Sequence, residues 1–143
     1  MASPIDQELA TLVEDFDLLG DWEEQIQYVI DLGRGLPPLA DGEYDDANKV
    51  RGCASQVWLI TEKRPDGTLA FRGDSDAHLV KGLIAVLLRL YSGRKPQDIL
   101  AFDAKAAFER LGLANTLTPQ RSNGLASMIA RIRADAQRAQ ANP

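Results

Sequence analysis

Gln56-Val57-Trp58-Leu59-Ile60-Thr61, then Pro65-Asp66-Gly67, then Thr68-Leu69-Ala70-Phe71-Arg72 follow one another near the middle of the chain. The first run is rich in β-branched and aromatic residues, the second is turn chemistry, and the third alternates, so the stretch predicts a β-hairpin. Lys49-Val50-Arg51 is a candidate short third strand beside it. Downstream, Asp74-Ser75-Asp76 offers N-cap oxygens to a helix over residues 77–91. His78, Lys81 or its neighbour Gly82, Ala85 and Arg89 recur three or four apart on that helix and leave most of its circumference apolar. Such a helix is expected to be the buried spine of the molecule.

Upstream, Ile5, Leu9, Leu12, Val13, Phe16 and Leu19 form one stripe of an amphipathic helix ending near Gly20. Asp21 then opens a second helix, with Glu24 placed to complete a capping box and Trp22, Ile26, Val29 and Ile30 as apolar positions. Gly33, Gly35 and Leu36-Pro37-Pro38 are expected to close it. Residues 40–49 are acidic and aperiodic and predict an exposed connecting loop. Beyond the spine, Pro96 starts a short helix to residue 102, and residues 104–111 make another before Gly112. Thr118-Pro119 starts the last helix, whose apolar face is Leu125, Met128, Ile129, Ile132 and Ala136 and whose tail is expected to fray. The order of helices, hairpin and helices predicts one α+β domain over residues 1–143, a small antiparallel sheet packed against helices.

The chain has 143 residues, 16 Lys and Arg against 21 Asp and Glu, a net charge of −5, and 45% hydrophobic residues. That composition excludes disordered and fibrous classes. The acidic balance argues against nucleic-acid binding, whose affinity is mostly cation-driven. Residues 1–7 hold Asp6 and no basic cluster before an apolar run, so no secretory leader is read there. The most hydrophobic stretch, residues 79–90, is interrupted by Lys81 and Arg89 and is too short to span a bilayer. One cysteine excludes an intrachain disulfide and a four-thiolate metal site, and a reducing, cytoplasmic setting is the natural expectation.

Cys53 follows Gly52 and precedes the best strand, which places it on a turn or loop. A lone cysteine is commonly a small buried hydrophobe. Against that, Gly52 frees the backbone, Arg51 can favour a thiolate, and Ala54-Ser55 is not core-like. On residues alone both readings stand. His78 is the single imidazole, so a Cys53-His78 dyad for thiol hydrolysis is an alternative, but its position on the polar stripe of a helix favours a solvated histidine. One His and one Cys make a poor zinc site. Gly73-Asp74-Ser75-Asp76 fits neither phosphate-loop fingerprint and is read as helix capping. Asp41, Glu43, Asp45 and Asp46 are read as a solvated loop, with partner steering as the lesser alternative, and Trp22 and Trp58 as core or half-core aromatics. Arg121 stands in a helix first turn, where a cation opposes the macrodipole, which leaves a site role open for it.

Taken jointly and in order, several motifs resemble the SufE family, sulfur acceptors of the Suf iron–sulfur assembly pathway. They are Gly52-Cys53-Ala54-Ser55-Gln56-Val57-Trp58, Gly73-Asp74-Ser75-Asp76-Ala77 with Val80-Lys81-Gly82-Leu83, Pro96-Gln97-Asp98-Ile99, and Leu117-Thr118-Pro119-Gln120-Arg121-Ser122-Asn123-Gly124-Leu125. Trp22-Glu23 and the Leu32-Gly33 to Leu36-Pro37 stretch also fit, and Ser55-Gln56-Val57-Trp58 looks closer to SufE than to its CsdE relatives. The resemblance implies an α+β fold related to the IscU scaffold protein and a carrier that takes persulfide sulfur onto Cys53. The donor would be a SufS-type cysteine desulfurase, which carries the pyridoxal phosphate and is stimulated by the carrier; no cofactor is expected on this chain. A SufBCD-type scaffold would be the recipient. Arg121, from the family motif, and Arg51, from its proximity, are expected to supply positive potential, and Gly52 to act as the hinge of a loop that shelters and then offers the thiol. A non-catalytic adaptor of the desulfurase is the remaining alternative.

Overall fold

The computed structural model of the chain describes residues 3–114 and 117–142; Met1 and Ala2, at the start of the segment read for a leader, lie outside them. Helix α1 (Pro4–Asp17) starts at Ser3, whose hydroxyl accepts from the Asp6 amide, and buries Ile5, Leu9, Leu12 and Phe16. Helix α2 (Trp22–Arg34) starts at Asp21, whose carboxylate accepts from the Glu24 amide at 3.0 Å. Glu24 reaches back to the Gly20 amide at 2.8 Å, one residue earlier than a standard capping box, so two donors at the helix start are still satisfied.

A short 3₁₀ turn (Asp41–Glu43) leads to strands β1 (Val57–Lys63) and β2 (Leu69–Ser75), paired antiparallel from Val57 opposite Ser75 to Lys63 opposite Leu69. The hairpin closes as its sequence predicts. Arg64 donates to the Thr68 carbonyl at 2.9 Å, and Gly67 takes φ +87°, a conformation that side chains rarely tolerate. The candidate third strand does not form. Lys49 makes a single bridge to Trp58 and the chain then turns away at Arg51 and Gly52.

Helix α3 (His78–Tyr91) is the spine that the pattern predicts, with Val80, Leu83, Ile84, Val86, Leu87, Leu90 and Tyr91 all in the core. It receives the hairpin on one side, where Gly73 leaves room for Leu59 and Ile84, and α2 on the other. The short helices α4 (Pro96–Ala101) and α5 (Ala104–Arg110) follow, and α6 (Pro119–Ala141) closes the structure against α4 and β1.

Four further sequence expectations are corrected. Gly33 does not end α2; it is buried one residue before the helix ends, and a Cβ there would lie 2.6 Å from the Gly82 amide nitrogen of α3. The glycine therefore serves the backbone contact between two helices. Trp22 is not a core aromatic, since 60% of it is exposed at the start of α2. The α6 tail is helical to Ala141, held past Ala136 by Arg138 to Asp135 and by Lys63, which donates to the Asn142 carbonyl. Glu43 is not a merely solvated acid: Arg72 binds both its oxygens, at 2.8 and 2.6 Å, and the pair holds its carboxyl down at about 2.

Replacing Gly82 by Ala should force α2 off α3 and lower stability by about 1–3 kcal/mol, the usual cost of overpacking. Urea titration would show a lower midpoint at unchanged slope; an unchanged midpoint would contradict the backbone contact.

Candidate functional site

The loop that carries Cys53 is closed at its base. Val50 donates to the Val57 carbonyl at 2.8 Å and Leu59 to the Asn48 carbonyl at 2.9 Å, which pins the incoming chain to the start of β1. Residues 51–56 are left to project from that base. Where the loop re-enters β1, one step beyond the Val57-Ser75 pair, the Asp76 carboxylate accepts from the Gln56 amide at 3.0 Å, and the Gln56 carbonyl accepts from the Asp76 amide at 3.3 Å. Gly52 takes φ +88°, and a Cβ added to it would lie 2.5 Å from the Ser127 hydroxyl, so only glycine fits this turn.

The turn lays Cys53 against the first turns of α6, over Gly124, with Val80 and Leu83 of α3 forming the apolar wall. The thiol is half-buried, and its Sγ donates to the Gly124 carbonyl at 3.6 Å, a contact that only the protonated form can make. The remaining space beside it is about 20 Å³, enough for one water-sized guest. Burial pushes the Cys53 thiol above its ordinary pKa.

Arg121 lines this cleft, exposed on the first turn of α6, where the Thr118 hydroxyl accepts from its amide at 3.4 Å. Arg51 is exposed and is not among the cleft residues. In this resting arrangement burial acts against ionisation of the thiol. His78 is on the first turn of α3 and does not line the cleft, so the structure brings no imidazole base to Cys53. Among the described residues no group of three or more His, Cys, Asp or Glu could hold a metal ion.

The acids of Gly73-Asp74-Ser75-Asp76 serve other ends than capping. The N-cap of α3 is Ala77, without a side-chain bond, because β2 runs on to Ser75 and keeps the approach to the helix extended. Asp76 latches the Cys53 loop. Asp74 accepts from the Tyr44 hydroxyl at 2.6 Å and from the Ser75 amide at 2.8 Å, and pairs with Lys81 at 3.3 Å. Burial pushes the Asp74 carboxyl up, but these three partners together hold it below its ordinary value. Tyr44 in turn packs edge-on against Trp58, with ring centroids 5.0 Å apart.

Sequence reasoning also missed a clamp on the incoming stem. Arg131 of α6 donates to the Ala47 and Lys49 carbonyls at 3.2 and 3.4 Å and pairs with Asp135 at 3.3 Å. Asp135, only 7% exposed, also accepts from the Thr61 hydroxyl at 2.6 Å, so one carboxylate joins α6, β1 and the approach to the loop. The available signal was an acid seven residues after Met128, and so on the apolar face of α6.

These features define a small α+β protein that presents one sheltered thiol on a latched loop. The SufE family model, described as an Fe-S metabolism associated domain, matches residues 10–136. A SufE-like protein of Rhizobium etli is 48% identical over 132 residues, covering 90% of this chain and 89% of its own length. One of Rhizobium meliloti is 44% identical over 132 residues, covering 90% and 94%. The chain belongs to the SufE family. The solution structure of a hypothetical protein from Thermus thermophilus superposes with a TM-score of 0.78 over 99% of this chain and 100% of that one, at 22% identity, which establishes a shared fold. The family places the protein in iron–sulfur metabolism. No helix among the described residues is long and apolar enough to cross a membrane.

Because the thiolate is the nucleophile and burial raises its pKa, alkylation of Cys53 should accelerate with pH through a midpoint above that of free cysteine. A midpoint at or below the free value, read from iodoacetamide rates, would contradict the sheltered arrangement. Asp76→Ala should speed alkylation at neutral pH at least severalfold without unfolding the protein, since one latch bond is lost from an exposed segment; an unchanged rate would show that the latch does not hold the loop.

Proposed function

We propose that the protein is a persulfide carrier, with Cys53 as acceptor. The reading rests most heavily on one observation: the chain's single thiol is half-buried on a six-residue loop whose stem is hydrogen-bonded from Val50 to Val57 and from Gln56 to Asp76. In the transfer, the Cys53 thiolate attacks the outer sulfur of a donor persulfide. A bond forms between the two sulfurs, the donor's own sulfur–sulfur bond breaks, and the donor leaves as a thiolate. Cys53 then carries an S–SH group, and the negative charge has passed to the donor. No oxidant and no general base are needed, only a thiolate and access.

A carrier meets two opposed demands. An open persulfide is lost to small thiols and oxidants, while a permanently buried thiol neither ionises nor meets its donor. The cleft supports a solution in which the thiol rests against Gly124 and is released when docking displaces the Gln56-Asp76 latch, with Gly52 as hinge. Its space of about 20 Å³ supports sheltering one additional atom after loading. Arg121, on the cleft rim, stabilises the thiolate once the loop opens, and Arg51, exposed on the loop, meets the partner. The donor in this reading is a SufS-type cysteine desulfurase with its own pyridoxal phosphate, the recipient is a SufBCD-type scaffold, and the setting is the reducing cytoplasm.

Incubation with the desulfurase and free cysteine should add the mass of one sulfur atom to the wild type and none to Cys53→Ser, measured on the intact protein. Sulfur loading of Cys53→Ser, or none on the wild type, would refute the reading.

A further inference from the structure

The corner between α1 and α2 presents two large apolar side chains to solvent: Leu18, 85% exposed, and Trp22, 60% exposed. Local folding does not require either. Asp21 and Glu24 cap α2, so the tryptophan at its first position contributes nothing to capping and is held outward by a well-formed turn. Tryptophan is enriched among the residues that anchor protein interfaces.

The charge around the pair is one-sided. Residues 1–33 contain nine Asp and Glu and no Lys, Arg or His, whereas residues 34–143 carry sixteen Lys and Arg against twelve acids. Arg89 pairs with Glu8 and Arg34 with Asp31, but among the described residues no ion pair involves Glu14, Asp15, Asp17, Asp21, Glu23 or Glu24. The carboxylates of Asp21, Glu23 and Glu24 suit the start of α2. Asp15 and Asp17 lie in the last turns of α1, whose final turn holds no basic residue, and there they oppose the macrodipole. Asp15 accepts from the Tyr28 hydroxyl at 3.4 Å, but among the described residues no cation pairs with either acid. An apolar pair ringed by carboxylates without counter-charges repels nucleic acid and anionic lipid and matches a protein face with an apolar recess rimmed by Lys and Arg.

We propose that this corner is a docking surface for the sulfur donor, a proposal that rests on the carrier reading above. The donor must recognise the resting carrier, whose thiol loop is latched and half-buried, and so must grip something already exposed. Leu18 and Trp22 are exposed in that state. From Trp22, α2 runs about 17 Å to Gly33, which abuts Gly82 of α3, the helix whose Val80 and Leu83 line the Cys53 cleft. A standard interface is roughly 30 Å across, a reach that exceeds this path.

The test is calorimetric titration of purified desulfurase into wild type and into the Leu18→Ser/Trp22→Ser double variant, at low and moderate salt. The double variant should bind at least tenfold more weakly while iodoacetamide alkylates Cys53 at the wild-type rate, which shows that the cleft is intact. Wild-type binding should weaken with salt, and Asp17→Asn/Glu23→Gln should blunt that dependence. If the wild type binds and is loaded with sulfur but the double variant binds within twofold of it, the corner is not the donor's surface and the carrier reading survives. Weakened binding to a purified scaffold alone would likewise overturn the assignment to the donor. If the desulfurase neither binds nor loads the wild type, the carrier reading fails and this proposal with it.

Discussion

Helix α3 is apolar around nearly its whole circumference, and the hairpin, α1, α2 and α6 pack against it. The hairpin takes one side, α2 another, and α1 and α6 touch it beyond these. The closest approach sets the geometry: Gly33 and Gly82 bring two helix backbones together without side chains between them. Burying leucines and valines on all sides is the main stabilising term available to a domain of this size. It leaves α3 able to present residues to the functional cleft only at its first turns, through Val80 and Leu83. The Cys53 loop is therefore built at an end of the spine, where the strands, the spine and α6 converge.

At that end, strong and weak interactions are divided in a functionally sensible way. The base of the loop is fixed by backbone bonds to β1 and by the Arg131-Asp135 clamp, whose carboxylate is almost fully buried. The exit of the loop at Gln56 is held by one exposed carboxylate-to-amide bond and its backbone return, and the thiol itself by one long sulfur contact. Charged groups fixed in a buried network are costly to disrupt, whereas an exposed hydrogen bond contributes about 1 kcal/mol. The six residues between can thus open without disturbing the stems. The thiol's raised pKa belongs to the same arrangement, since shelter and ionisation compete for the same sulfur.

Several features were legible from residues alone because they depend on near neighbours. The hairpin follows from Pro65-Asp66-Gly67 between β-rich runs, the α2 start from Asp21 and Glu24, and the α6 start from Thr118-Pro119. The spine was visible in its spacing. Other readings failed where a partner distant in sequence decides the outcome. Gly33 reads as a helix terminator until Gly82 is seen beside it, and Asp76 reads as a cap until Gln56 is found twenty residues back. Trp22 occupies a correct apolar position on its helix, but no element comes to cover it.

Residue order by itself determined the α+β class, the turn chemistry, the lone thiol beside a glycine, and the motif order that marks the SufE family. These rest on backbone preferences and spacing, which act within a few residues. Tertiary structure alone decided that Cys53 lies against Gly124 and that Arg121 shares its cleft while Arg51 and His78 do not. It also decided that a carboxylate just past the second strand bonds the last residue of the loop. The physical reason is that burial and hydrogen-bond pairing at this site join segments 20 to 84 residues apart, and no local preference encodes which of them will meet.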